Sequence, residues 1–174
     1  MTLFSTIRVH PRPGNRRQGW LAAGPHRLLV ALGRGGIRAN KREGDGGTPR
    51  GRFRLVRLWW RPDRRPRPLT RLPVRPITPA DAWCEDPSNR RYNRHVRRGV
   101  GTPGDRLWRD DHLYDLIIEI DHNTRPRTAG RGSAVFLHVA RQGFAPTAGC
   151  VAFHAPALLR LLARLGPRTR ISIQ

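Results

Sequence analysis

Apolar residues in this chain come in short runs divided by glycine and proline, and only one stretch repeats at helical spacing. Leu28–Leu32, Leu116–Ile118 and Ala134–Leu137 are too short for stable helices and suit buried strands. With 18 Gly and 16 Pro available to turn the chain between them, a mainly β architecture follows. Trp20–Ala23 and Leu28–Leu32 flank Gly24-Pro25 and read as a hairpin. Ile7–Val9, Phe53–Trp59, Tyr114–Ile120, Ser133–Val139 and Arg170–Ile173 read as further strands. Lys41–Gly51 is too rich in glycine for helix or central strand. The exception is near the C-terminus. Pro156 suits a first helical position, Leu158, Leu161, Leu162 and Leu165 share one face, and Gly166-Pro167 stops the helix. The length points to a single domain over residues 1–174. Residues 61–105 are a basic, Pro-rich insertion within it, expected to be ordered because Trp83, Cys84, Tyr92 and Val96 can anchor it.

Lys and Arg total 34 against 12 Asp and Glu, a formal charge of +22, and Lys41 is the only lysine. Such a field draws anionic partners. Trp59-Trp60 beside Arg61, and the run from Arg64 to Arg67, fit a nucleic-acid surface loosely, but no binding signature accompanies them. A GC-rich genome that replaces Lys by Arg explains the same composition, and an acidic peptide substrate is a third reading. Cys84 and Cys150 form no CxxC pair, so no structural zinc or other metal is expected. The first residues lack the basic and apolar segments of a signal peptide, and no stretch is long enough to span a membrane. The cytoplasm is the expected location, or the periplasm if the true start lies upstream.

The chemistry concentrates in Phe136-Leu137-His138-Val139 and Pro146-Thr147-Ala148-Gly149-Cys150-Val151. His138 closes an apolar strand, and Cys150 follows across a short loop. A nucleophilic Cys attacks as thiolate and needs a base, which a His folded back by that loop supplies. Gly149 leaves the adjoining backbone uncrowded, so amides there can face a developing oxyanion. The bland alternative is that Cys150 fills the core and His138 is structural. Scattered His26, His112, His122 and His154 read as solvated, Asp110-Asp111 as a loop or cap, Tyr114-Asp115 as a structural strand start and Cys84 as buried.

These residues resemble the YkuD-type L,D-transpeptidase catalytic domain. That family carries a His, a loop and a Ser/Thr-x-Gly-Cys signature, here His138 and Thr147-Ala148-Gly149-Cys150. Its upstream TPxGxF segment is matched by Thr48-Pro49-Arg50-Gly51-Arg52-Phe53, and the resemblance runs from about Leu28 to the C-terminus. Lys41–Gly46 and Trp83–Pro87 resemble a short subgroup. The resemblance implies a β-sandwich-like fold, no cofactor, and attack on a peptidoglycan stem peptide or muropeptide after its third residue, with D-Ala leaving and a thioester forming. It makes Cys150 the nucleophile and His138 the proton acceptor. Gly149 and Cys150 amides become oxyanion donors, and Thr147 and Ala148 belong to the same loop. Penem β-lactams become covalent inhibitors. Where the family often has Arg or Asn, this chain has Ala152, so Arg34 and Arg141 are candidates for the substrate carboxylate. The offset of 12 positions from His138 to Cys150 is short for the family. Without visible export, an L,D-carboxypeptidase on recycled cell-wall peptides is the first reading. A cross-linking L,D-transpeptidase is the second and a basic nucleic-acid-binding protein the third.

Overall fold

The computed structural model describes residues 2–97 and 104–174, so residues 98–103 of the insertion lie outside the described residues. The strands are β1 (Thr6–Arg12), β2 (Asn15–Ala23), β3 (His26–Ala31), β4 (Ile37–Arg38), β5 (Thr48–Pro49), β6 (Gly51–Trp60), β7 (Val74–Pro76), β8 (Asp81–Cys84), β9 (Arg94–Arg97), β10 (Asp105–Arg106), β11 (Leu116–Ile120), β12 (Phe136–Val139), β13 (Val151–Phe153) and β14 (Arg170–Ile173). The helix α1 spans Ala155–Leu162. The large sheet runs β11-β12-β13-β3-β2-β1-β14-β6-β7. Its longest strand closes it: Gly51–Arg54 of β6 pairs with β14, while Leu55–Trp60 pairs with β11. The mainly β expectation holds, and the two sides of the sheet join at β6 into a barrel-like structure.

Inward residues of the barrel make the principal core, among them Ile7, Val9, Leu21, Val30, Leu137, Phe153 and Ile171. Leu158, Leu161 and Leu162 of α1 and Leu165 just beyond it join this core. The helix ends before the apolar stripe does, with Leu165 in the turn that leads to Gly166. The strand β2 begins well before Trp20, whereas β11 starts only at Leu116 and β12 only at Phe136.

Two kinds of strand follow from two kinds of burial. In β1 and β2, buried Ile7, Val9, Leu21 and Ala23 alternate with residues open to solvent, as expected of a sheet with one wet face. In the second half of β6, and in β11 and β12, both faces are covered. Leu58, Leu116 and Leu137 point into the barrel, and Trp59, Ile117 and Phe136 point outward into a second core with Trp83, Leu107 and Tyr114. That outer cover is the insertion, folded around a small sheet of order β10-β8-β9. Trp83, Cys84, Tyr92 and Val96 are all buried in it. Trp59 is buried and Arg61 is clamped on Asp63 and stacked over Trp108, so this stretch presents no stacking platform of the kind the nucleic-acid reading needs.

Asn93 pins the insertion to the barrel. Its Oδ1 accepts from Trp83 Nε1 at 2.9 Å and from the Ala134 amide at 3.2 Å. Its Nδ2 donates to the carbonyls of His122 and Asn123 at 3.0 and 2.9 Å. All four bonds vanish in Asn93→Ala, and the buried groups left behind cost at least about 2 kcal/mol. A urea unfolding midpoint lowered at unchanged slope is the expected result; an unchanged midpoint contradicts the pinning role.

Candidate active site

Strands β12 and β13 run parallel, with Leu137 opposite Val151 and His138 opposite Ala152. This register sets Cys150 beside Phe136. The thiol Sγ accepts the Phe136 amide at 3.3 Å and donates to the Ala134 carbonyl at 3.3 Å. Ala134 has φ of 50°, a left-handed conformation that costs an L-residue of order 1–2 kcal/mol. Asn93, holding its amide, fixes the turn that presents its carbonyl to the thiol.

His138 lies one pleat further along the same face of β12. Its Nδ1 lies 2.8 Å from the Val139 carbonyl. A carbonyl only accepts, so Nδ1 carries the proton and Nε2 is the basic nitrogen. Tyr114 packs edge-on against the imidazole at 5.3 Å.

The loop before Cys150 is held by side chains. Thr147 Oγ1 donates to the Cys150 carbonyl at 2.7 Å and accepts the Gly149 amide at 3.1 Å. The Gly149 amide is thus already engaged, which leaves the Cys150 amide as the better placed of the two expected oxyanion donors. Thr147 also bridges to Gly33, and Thr48 Oγ1 takes the Gly33 amide at 2.8 Å, so the upstream Thr-Pro segment supports the cysteine loop from behind. Gly149 sits at φ of 144° with its α-carbon facing Gly47; a Cβ there would lie 2.8 Å from the Gly47 carbonyl. Lys41 staples the glycine-rich turn, its buried ammonium donating to Asp45 Oδ1 at 2.6 Å and the Arg42 carbonyl at 2.7 Å. Burial works to raise the Asp45 pKa, but the Lys41 ammonium and the Arg42 and Gly47 amides outweigh it and lower it.

These loops enclose a cavity of about 540 Å³. Cys150, His138, Thr147, Ala148, Gly149, Arg34 and Arg141 all line it, and so does Ala152. Sequence reasoning missed Arg109, Tyr114, Glu43, Glu85 and Asp105, which complete its walls. Tyr114 is no strand start: it precedes β11, donates to Asp105 Oδ2 at 2.7 Å and carries Arg109 over its ring at 4.9 Å. Asp111 holds that arginine from the other side. Glu43 binds the hydroxyls of Tyr92 and Ser133, joining the glycine-rich turn to the insertion. Glu43 and Glu85 lie in the two stretches that resemble the short subgroup, while Arg109, Tyr114 and Asp105 carried no signal beyond their charge or aromatic ring. His112 reaches Asp115 but its side chain stays exposed, as expected, whereas His122 is half-buried against the Arg131 carbonyl. Cys84 is buried in β8, apart from the cavity lining.

A family model described as YkuD, the L,D-transpeptidase catalytic domain, matches residues 6–173. The chain belongs to this family. No curated protein and no solved structure matches it. The match takes in β1 and the β2–β3 hairpin as well as the two motifs, so the whole barrel of this YkuD domain is family structure. Its family modifies peptidoglycan through the stem peptides.

Burial governs the protonation of the central pair in this YkuD domain. Desolvation pushes the Cys150 thiol up to about 12, the Phe136 amide opposing it only partly. Desolvation takes His138 down to about 4 against the pull of its Val139 bond, with Arg109 adding to the depression. At neutral pH the resting pair is therefore thiol and neutral imidazole, and the thiol proton is directed at the Ala134 carbonyl. Iodoacetamide alkylation of Cys150, followed by peptide mass spectrometry, should climb through about pH 9 without levelling. A plateau reached below pH 7 would mark a resting ion pair and contradict this arrangement.

Proposed function

We propose that this YkuD domain is a cysteine acyltransferase that removes the terminal D-Ala of a tetrapeptide stem, with water as acceptor: an L,D-carboxypeptidase. The observation that carries the reading is the presence of Cys150 and a His138 of fixed tautomer in the walls of one cavity. On substrate binding the thiol turns from the Ala134 carbonyl towards His138. Nε2 takes the thiol proton as Sγ bonds to the carbonyl carbon after the third residue. The oxyanion collects on the Cys150 amide, now freed of competing water. Collapse breaks the C–N bond, the imidazolium returns its proton to the departing D-Ala amine, and a thioester remains. Water, deprotonated by the same imidazole, then breaks the thioester and restores the thiol.

Arg34 and Arg141, together with Arg109, supply the cationic wall for substrate carboxylates that Ala152 does not. The cavity volume suits the end of one peptide. One observation favours the cross-linking alternative: Glu43, Glu85 and Asp105 also line the cavity and suit the ammonium of an acceptor amine. Both outcomes share the acyl-enzyme and differ only in what attacks it.

Mass spectrometry of a soluble tetrapeptide muropeptide separates them. Loss of one D-Ala without a dimer supports hydrolysis, and a cross-linked dimer supports transfer. Cys150→Ala should abolish either product, and His138→Ala should slow turnover by on the order of 10²–10⁴. Normal turnover by Cys150→Ala refutes the mechanism. Because His138 works unprotonated and its pKa lies at about 4, turnover should fall as pH drops towards that value and hold steady above it up to neutral. Penems should add covalently to Cys150 and leave Cys84 unmodified; an adduct on Cys84 counts against the assignment.

A further inference from the structure

The outward residues of β3, β2, β1, β14 and the first half of β6 form a continuous face that the acyl-transfer chemistry does not use. Strand register sets Arg27, Ala22, Arg8, Ser172 and Arg52 in one row across it. Adjacent strands lie about 4.8 Å apart, so the three arginines, on alternate strands, stand roughly 10 Å from one another. A second row holds Leu29, Trp20 and His10, and a third holds Thr6, Arg170 and Arg54. Buried Ile7, Val9, Leu21 and Ile171 fill the opposite side of the same strands, which keeps the charged side chains outside.

This face has no counter-charge. All 12 Asp and Glu residues lie between Glu43 and Asp121, so β1, β2, β3 and β14 contain none. Among the described residues, Arg8, Arg27 and Arg52 have no acidic partner within salt-bridge distance. Asp121, beside the Arg54 amide, marks the boundary. A genome that exchanges Lys for Arg accounts for the arginines, but it does not sort carboxylates away from one side of a barrel. The face also leads to the site. Arg17 accepts the Leu32 amide through its carbonyl at 2.8 Å, and Gly36 packs on Arg16, so the basic end of β2 adjoins the Gly33-Arg34 edge of the cavity.

We propose that this face docks polymeric peptidoglycan by pairing its arginines with carboxylates of the stem peptides neighbouring the one in the cavity. The inference rests on the reading of the cavity as a stem-peptide site and on the periplasmic alternative for the location, where the polymer lies. Arginine forks match carboxylates in pairs, and a row at fixed spacing meets a polymer at several points, each weak alone. The surface is the convex outside of a barrel, and its one aromatic, Trp20, lies half-buried under Arg27 at 5.5 Å. It thus lacks the groove and free stacking rings that a single-stranded nucleic acid uses.

The test is co-sedimentation of the full chain with purified peptidoglycan sacculi stripped of other polymers, with Arg8→Glu/Arg27→Glu/Arg52→Glu beside it. A double-stranded DNA oligonucleotide and phosphatidylglycerol vesicles are the comparison ligands. The wild type should sediment with sacculi, and the triple variant should bind them on the order of tenfold more weakly. Molar salt should release the wild type, since screening then acts within about 3 Å. Turnover of the soluble muropeptide by the variant should be unchanged, which separates failed docking from a failed cavity reading. A circular dichroism melt confirms its fold if the soluble substrate is not turned over by either protein. Equal binding of sacculi by the variant overturns the proposal. So does a wild type that prefers DNA or vesicles to sacculi and loses that preference in the variant.

Discussion

Leu137 points into the barrel while Phe136 and His138, its neighbours on β12, point the other way, and both directions are buried. A strand covered on two sides needs a second layer, which the insertion provides by packing its small sheet and Trp83 against Phe136 at 5.0 Å. The cavity is what remains between this layer and the loops that follow β3 and β12. Asn93 links the layer to Ala134, and the Ala134 carbonyl meets the thiol, so the insertion reaches the reactive atom through two hydrogen bonds in series. The Pro-rich insertion is therefore a structural half of the site and not a linker.

The same burial sets the chemistry. Burial disfavours charge on thiol and imidazole alike, and each stays neutral at rest. A buried thiol reacts slowly with oxidants and alkylating agents, and in the proposed mechanism substrate binding is the event that generates the nucleophile. Fixing Nδ1 on the Val139 carbonyl completes the preparation, since it leaves one nitrogen able to receive the proton.

Much of this was legible in the residues. Alternation in β1, the Gly24-Pro25 turn and the leucine stripe of α1 each carry a local signal that tertiary structure has no reason to override. The motif residues His138, Thr147 and Cys150 were legible through the family signature that they resemble, a His followed across a loop by Thr-x-Gly-Cys. What escaped was non-local. Residues of the short strands β7 to β10 pair only because the insertion folds back, so their sequence shows no period. Tyr114 and Arg109 gained their place at His138 through Asp105, within a chain segment rich in arginine where no single charge stands out. The engagement of the Gly149 amide by Thr147 is a matter of one side-chain rotation, which composition and spacing do not encode.

The central claim is that the thiol parked on Ala134 becomes the acyl acceptor of a stem peptide. Acid quenching of the enzyme during turnover of a tetrapeptide muropeptide, followed by intact-mass and peptide-map analysis, tests it directly. The expected result is a covalent species carrying the substrate without its D-Ala, linked to the Cys150 peptide and absent from His138→Ala on the same timescale. Turnover with no adduct at any quench time and with Cys150 still open to alkylation would contradict it.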